Sequence, residues 1–303
     1  MPRLSNLFRP SAARPAARQA RLGVEALSER LVPSVTFHED APTHTVILNA
    51  AAHQNNTVAI RNDGNGGLTI TADGVTRTFT GVKELDVATG DGADTVTYAQ
   101  GTAGQAANLR RDFALIVGLG ANAAGTTDRF TATVFGDVGF FQDGAFQPEK
   151  LKFGVRGEDG HDRIAINVNH DTDVRPGSQL DIAVDGGGGN DNLTVDYDGR
   201  LDGRLRLLAI GDGGNDLVAA NLHLDAGSGG SVRGFPDAGD VATVRGDLGN
   251  DAVTLAVRVD PGAAPQVAAL VDGGFGFGFP DHDVGRHTAN VATAFLEQDI
   301  LVT

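Results

Sequence analysis

One feature constrains this chain more than any other. A short Gly-rich segment ending in Asp or Asn returns along most of its length: QNNTVAI, GDGADTVTY, AGTTDRFTATV, GEDGHDRIAINV, GGGGNDNLTVDY, GDGGNDLVAANL, GDLGNDAVTLAV and FGFPDHDV. The anchoring residues are Asn56, Asp94, Asp128, Asp162, Asp191, Asp216, Asp251 and Asp283, separated by 38, 34, 34, 29, 25, 35 and 32 residues. Recurrence on this scale marks a chain assembled from stacked repeats.

Around the anchors the apolar residues alternate with the period of a strand. Two residues after each anchor stand Val58, Val96, Phe130, Ile164, Leu193, Val218 and Val253, with Gly285 in the last copy. The same alternation precedes the turns at Leu85 and Val87, at Leu151, Phe153 and Val155, and at Leu180, Ile182 and Val184. Each unit reads as strand, Gly-Asx turn, strand and variable loop. Such a unit cannot bury its own apolar face, so neighbours must stack. We expect an all-β body over residues 35–303, a β-solenoid or parallel β-helix of about eight degenerate rungs. A β-sandwich or meander is the alternative, supported by hairpin turns at Asp63-Gly64 and Asp73-Gly74.

Composition narrows the functional classes. The 42 glycines fit many turns, while 41% hydrophobic residues argue against disorder of the body. Net charge is −15, and because residues 1–34 carry six Arg against Glu25 and Glu29, the body holds about −19. That surface repels phosphate backbones and attracts cations, so no nucleic-acid partner is expected. With no Cys, disulfides, Cys-containing zinc sites and thiol nucleophiles are excluded. No stretch is long and apolar enough to be expected to span a membrane.

Residues 1–21 are rich in Arg, Ala and Pro without an apolar face and read as a disordered basic arm. In residues 22–34, Val24, Leu27 and Leu31 have helical spacing and Pro33 ends the helix. Val24, Glu25, Leu27, Arg30, Pro33 and Ser34 match a V-E-x-L-x-x-R-x-x-P-S pattern. The segment resembles the N-terminal motif of planctomycete-type exported surface proteins, and the resemblance implies an extracellular or cell-surface location. Ser28 departs from it where an acidic residue is common.

The turns resemble the G-G-x-G-x-D-x-U-x nonapeptide of haemolysin-type calcium-binding repeats, best at Gly186 to Leu193 and then at Gly211 to Val218 and Gly246 to Val253. The resemblance implies calcium held by turn carbonyls and Asp carboxylates, which suits an ion that takes six to eight oxygens. The implied ligands are Asp94, Asp162, Asp191, Asp216 and Asp251 at the anchors, joined by Asp91, Asp185, Asp212 and Asp247 at the acidic second positions. Here each motif is solitary, whereas the family's nonapeptides run in tandem. Asp and Asn also close Gly-rich turns simply by accepting backbone N–H bonds, so structural capping stands beside calcium binding.

Other motifs carry less. Asp281, His282, Asp283 and His287 lack a helix to place both imidazoles on one face, and Gly227 to Ser231 lacks the context of a nucleophile elbow. Gly118-Leu119-Gly120 lacks a βαβ setting, and Phe275, Phe277 and Phe279 read as an aromatic ladder. The expected function is a non-enzymatic structural or adhesive surface protein facing calcium ions and cell-envelope or matrix components. The alternative is a carbohydrate-active, polysaccharide lyase-like β-helix enzyme, for which Lys83, Lys150, Lys152, Arg110, Arg111, Arg204 and Arg206 are the basic candidates.

Overall fold

The structure is a computed structural model that describes residues 35–122, 126–170, 172–236 and 240–274, together with the backbone of strands Val284–Ala289 and Ala294–Phe295. The expected basic arm, export-motif helix and phenylalanine ladder, with Asp281, His282, Asp283 and the side chain of His287, lie outside the described residues.

Among the described residues the chain is all-β, with no α-helix. Two large sheets divide the strands between them, apart from one separate two-stranded hairpin. Strands that precede the Gly-rich turns build the first sheet: Glu84–Ala88, Phe113–Gly118, Lys150–Arg156, Gln179–Gly189, Arg204–Gly213 and Ala242–Leu248 pair in parallel with their neighbours. Strands that follow the turns build the second. Thr57–Asn62, Thr95–Gln100, Arg129–Val134, Arg163–Val168, Asn192–Gly199, Leu217–Leu224, Ala252–Val259 and Val284–Ala289 run parallel in that order.

The register places the expected core residues in one row. Val58 pairs with Val96, then Phe130, Ile164, Leu193, Val218, Val253 and finally Gly285. The seven from Val58 to Val253 are buried to 1% exposure or less, within one apolar cluster that draws on both sheets. A third, narrower row of single bridges links Leu109, Val138, Val174 and Leu201. Unequal repeat length is absorbed outside these rows. The extra residues of one long unit, for example, form an antiparallel hairpin of Phe140–Gln142 with Ala145–Gln147.

Antiparallel pairing is concentrated in the first units. Val35–Asp40 pairs with Thr45–Ala50 in the first sheet, and Thr57–Asn62, Leu68–Ala72 and Val75–Phe79 form a meander in the second. The expected hairpin turn at Asp73-Gly74 has both residues at positive φ (45° and 80°), as a tight two-residue turn demands. Phe37 and Phe79 close this end, ring centroids 5.9 Å apart, with Arg77 over the Phe37 face.

Candidate functional site

Each anchor immediately precedes a strand of the second sheet, so parallel pairing stacks the anchors. The Asp94 carboxylate accepts the Asn56 N–H at 2.6 Å, and Asp128 accepts from Asp94 at 2.6 Å. Asp162 accepts from Asp128 at 3.0 Å, Asp191 from Asp162 at 2.6 Å, Asp216 from Asp191 at 2.7 Å and Asp251 from Asp216 at 2.7 Å. All seven anchors from Asn56 to Asp251 are at most 3% exposed. One oxygen of each Asp thus satisfies a backbone donor that burial would otherwise orphan.

The residue before the anchor builds a second ladder in the opposite sense. The Asn190 side-chain oxygen accepts the Asn215 N–H at 2.8 Å, and Asn215 accepts from Asn250 at 2.9 Å. His161 Nδ1 plays the same part for the Asn190 N–H at 2.7 Å. Two positions before the anchor, Gly160, Gly189, Gly214 and Gly249 adopt φ of 156°, 141°, 145° and 152°. A Cβ on Gly189, Gly214 or Gly249 would collide with the carbonyl of the glycine one unit earlier. The glycine of the G-N-D pattern is therefore required by close stacking of backbones.

The second carboxylate oxygen is the anomaly. Oδ2 of Asp162, Asp191 and Asp216 is buried without a hydrogen-bond partner among the described residues. A Cβ on Gly186 would lie 2.5 Å from Asp191 Oδ2 and 2.8 Å from the Gly211 carbonyl, and one on Gly211 would lie 2.5 Å from Asp216 Oδ2 and 2.8 Å from the Gly246 carbonyl. The first unit reveals what such a position wants. There Asn56 turns its Nδ2 donor toward the carbonyls of Ala51 (3.0 Å), Gln54 (3.1 Å) and Thr89 (2.9 Å). Where Asp replaces Asn, that donor is lost and a second acceptor oxygen takes its place. Asp128 receives a different remedy, its Oδ2 accepting Asn122 Nδ2 at 2.5 Å.

Burial accordingly pushes the carboxyls of Asp128, Asp162 and Asp216 up to about 7, with charge on neighbouring anchors adding to it. Asp94 and Asp191 are raised by burial as well. Such groups require either a proton or a cation.

The acidic second positions divide. Asp212 pairs in register with Gly187 and Asp247, and the backbones of Glu158, Gly187, Asp212 and Asp247 share left-handed φ of 70°, 88°, 72° and 75°. Three non-glycine residues held there store strain. Asp185 aligns with Ile210 instead, its Oδ1 buried without a hydrogen-bond partner. Burial raises Asp185 and Asp247, and Asp212 repels both. Glu158, Asp159, Asp185 and Asp212 with Arg156 line a recess of about 300 Å³. Asp91 lies apart from this group, paired with the exposed His53.

Sequence reading missed two features. A shallow groove of about 440 Å³ crosses the first sheet, its lining including Ile116, Leu208 and Ile210 with Lys152, Arg156, Glu158 and Asp185. At the far ends of the second-sheet strands, His170, Asp198, His223, Asp225 and Asp260 converge. The available signal was an Asp or His seven to nine residues after the anchors, one strand length on. Among the described residues no helix is long and apolar enough to cross a membrane. No protein-family model matches the chain, and neither a curated protein nor a solved structure matches it.

Proposed function

We propose that this chain is an exported, non-catalytic structural or adhesive surface protein. Its body is a β-solenoid rod, and calcium bound at the Gly-Asn-Asp turns stabilises it. The observation that carries this reading is that the buried Oδ2 atoms of Asp162, Asp191 and Asp216 have no hydrogen-bond donor among the described residues, with the Gly211 and Gly246 carbonyls close to those of Asp191 and Asp216. A divalent cation supplies what that arrangement lacks, since carboxylate and carbonyl oxygens together are the donor set calcium takes. Asp162, Asp191 and Asp216 would hold it, with Asp185, Asp212 and Asp247 adding negative charge alongside. The same turns fit the haemolysin-type resemblance, and the N-terminal motif supports the surface location.

The test is thermal unfolding of the full chain at pH 8 in chelator and in 10 mM calcium. With a dissociation constant of about 10⁻⁴–10⁻³ M, each site adds roughly 1.4–2.7 kcal/mol, and magnesium adds less because it demands tight octahedral geometry. Coincident melting curves would end the calcium reading while leaving the structural one standing.

The groove favours a second reading. Lys152 and Arg156 beside Glu158 and Asp185 on an apolar floor offer the basic and acidic groups that a carbohydrate-active enzyme needs. Depolymerisation of an acidic polysaccharide by the wild type, abolished in Lys152→Ala, would establish it. Inactivity across neutral and acidic polysaccharides returns the groove to the surface of a rod.

A further inference from the structure

Because the second-sheet strands are parallel, the anchors gather at their starts and whatever follows the strands gathers at their ends. His170 follows Arg163–Val168, Asp198 lies near the end of Asn192–Gly199, and Asp225 follows Leu217–Leu224. His170 Nδ1 stands 3.8 Å from Asp198 Oδ1 and 3.8 Å from Asp225 Oδ2. These separations exceed hydrogen-bond reach, yet the three ligand atoms all lie within 4.8 Å of one another. Two atoms each about 2.1 Å from one ion stand roughly 3.4 Å apart at the tetrahedral angle and at most about 4.2 Å. The two 3.8 Å separations from His170 fall inside that range, the spacing of ligands around an ion rather than of groups bonded to each other.

The surroundings hold the triad in place. His223 pairs in register with Asp198, its Nδ1 2.8 Å from Asp198 Oδ1 and its Nε2 3.1 Å from Asp260 Oδ1. An imidazole engaged on both sides fixes the Asp198 carboxylate through the same Oδ1 that faces His170. Arg258 approaches the same Asp260 oxygen at 3.6 Å. Asp225 faces His170 through Oδ2 and lies 4.0 Å from His223 through Oδ1. His170 is largely exposed, which leaves room for water to complete a coordination shell.

We propose that His170, Asp198 and Asp225 form a binding site for a first-row divalent transition metal of the zinc class, with His223 as the positioning residue. The imidazole separates this site from the all-oxygen turns, because nitrogen ligands favour zinc-class ions over calcium. It is independent of the calcium reading, sharing no residue with the turn column.

The experiment is calorimetric titration of the EDTA-treated, dialysed full chain with zinc chloride, in 5 mM calcium to occupy oxygen-only sites. A parallel titration with cobalt(II) reports coordination through its visible absorption. The expected result is one saturable zinc per chain and a cobalt band that zinc abolishes. His170→Ala and Asp225→Asn should each weaken binding at least tenfold. Metal-free melting of His170→Ala should match the wild type, since that ring is exposed and spends no hydrogen bond. Absence of saturable zinc binding, or binding untouched by both His170→Ala and Asp225→Asn, would overturn the site.

Discussion

At the scale of single residues, the turn motif resolves into separate demands. Glycine two positions before the anchor is fixed by backbone approach: Gly214→Ala puts a methyl group into the Gly189 carbonyl at φ 145°. We expect it to cost at least about 2–3 kcal/mol, read from chemical denaturation. The anchor itself separates shape from charge. Asp191→Ala leaves the buried Asp162 N–H without its acceptor and should cost about 1–3 kcal/mol. Asp191→Asn keeps that acceptor and turns an amide donor toward the carbonyls, as Asn56 does in the first unit. At pH 8 in chelator it should match or exceed wild-type stability, and lose part of any calcium response. Equal destabilisation by both substitutions would mean that charge, not shape, is what the position uses. The importance of the anchors was legible from spacing alone. Which oxygen each one spends was not, because that depends on partners 25–38 residues away.

At the scale of the strand, period-two patterning located the buried face. Ile164 is 1% exposed and pairs with Phe130 and Leu193. Ile164→Ala should cost about 2–5 kcal/mol through lost burial and a residual cavity. A loss below about 0.5 kcal/mol, the range of surface substitutions, would show that the register is wrong. Strand type and face were readable because each strand has a solvent-facing and a core-facing side. Less readable was what the loops would do: Phe140–Gln142 and Ala145–Gln147 form a projecting hairpin with Phe141 64% exposed, for which the core pattern carries no signal. The His170–Asp198–Asp225 cluster escaped for a related reason. Its members belong to three different units, and only the pairing register brings them together.

Across the whole molecule the decisive property is a run of buried carboxyls sharing one line through successive units. Carboxyls of Asp128, Asp162 and Asp216 that titrate at about 7 when folded but near about 4 when unfolded make stability depend on pH in a defined sense. Below about pH 4 these groups are protonated in both states and their contribution is fully present. As pH rises the unfolded chain releases their protons first, so the contribution declines from about pH 4 and is lost by the time the folded groups ionise near 7. Calcium at the turns would restore part of it on the alkaline side. Thermal unfolding of the full chain in chelator between pH 5 and pH 8 is therefore the most direct test. The melting temperature should fall by roughly 5 °C or more as pH rises across that interval, given that each kcal/mol is worth at least about 2 °C. A melting temperature that is flat or rises toward pH 8, as expected of carboxylates stabilised by ion pairing, would contradict the buried column.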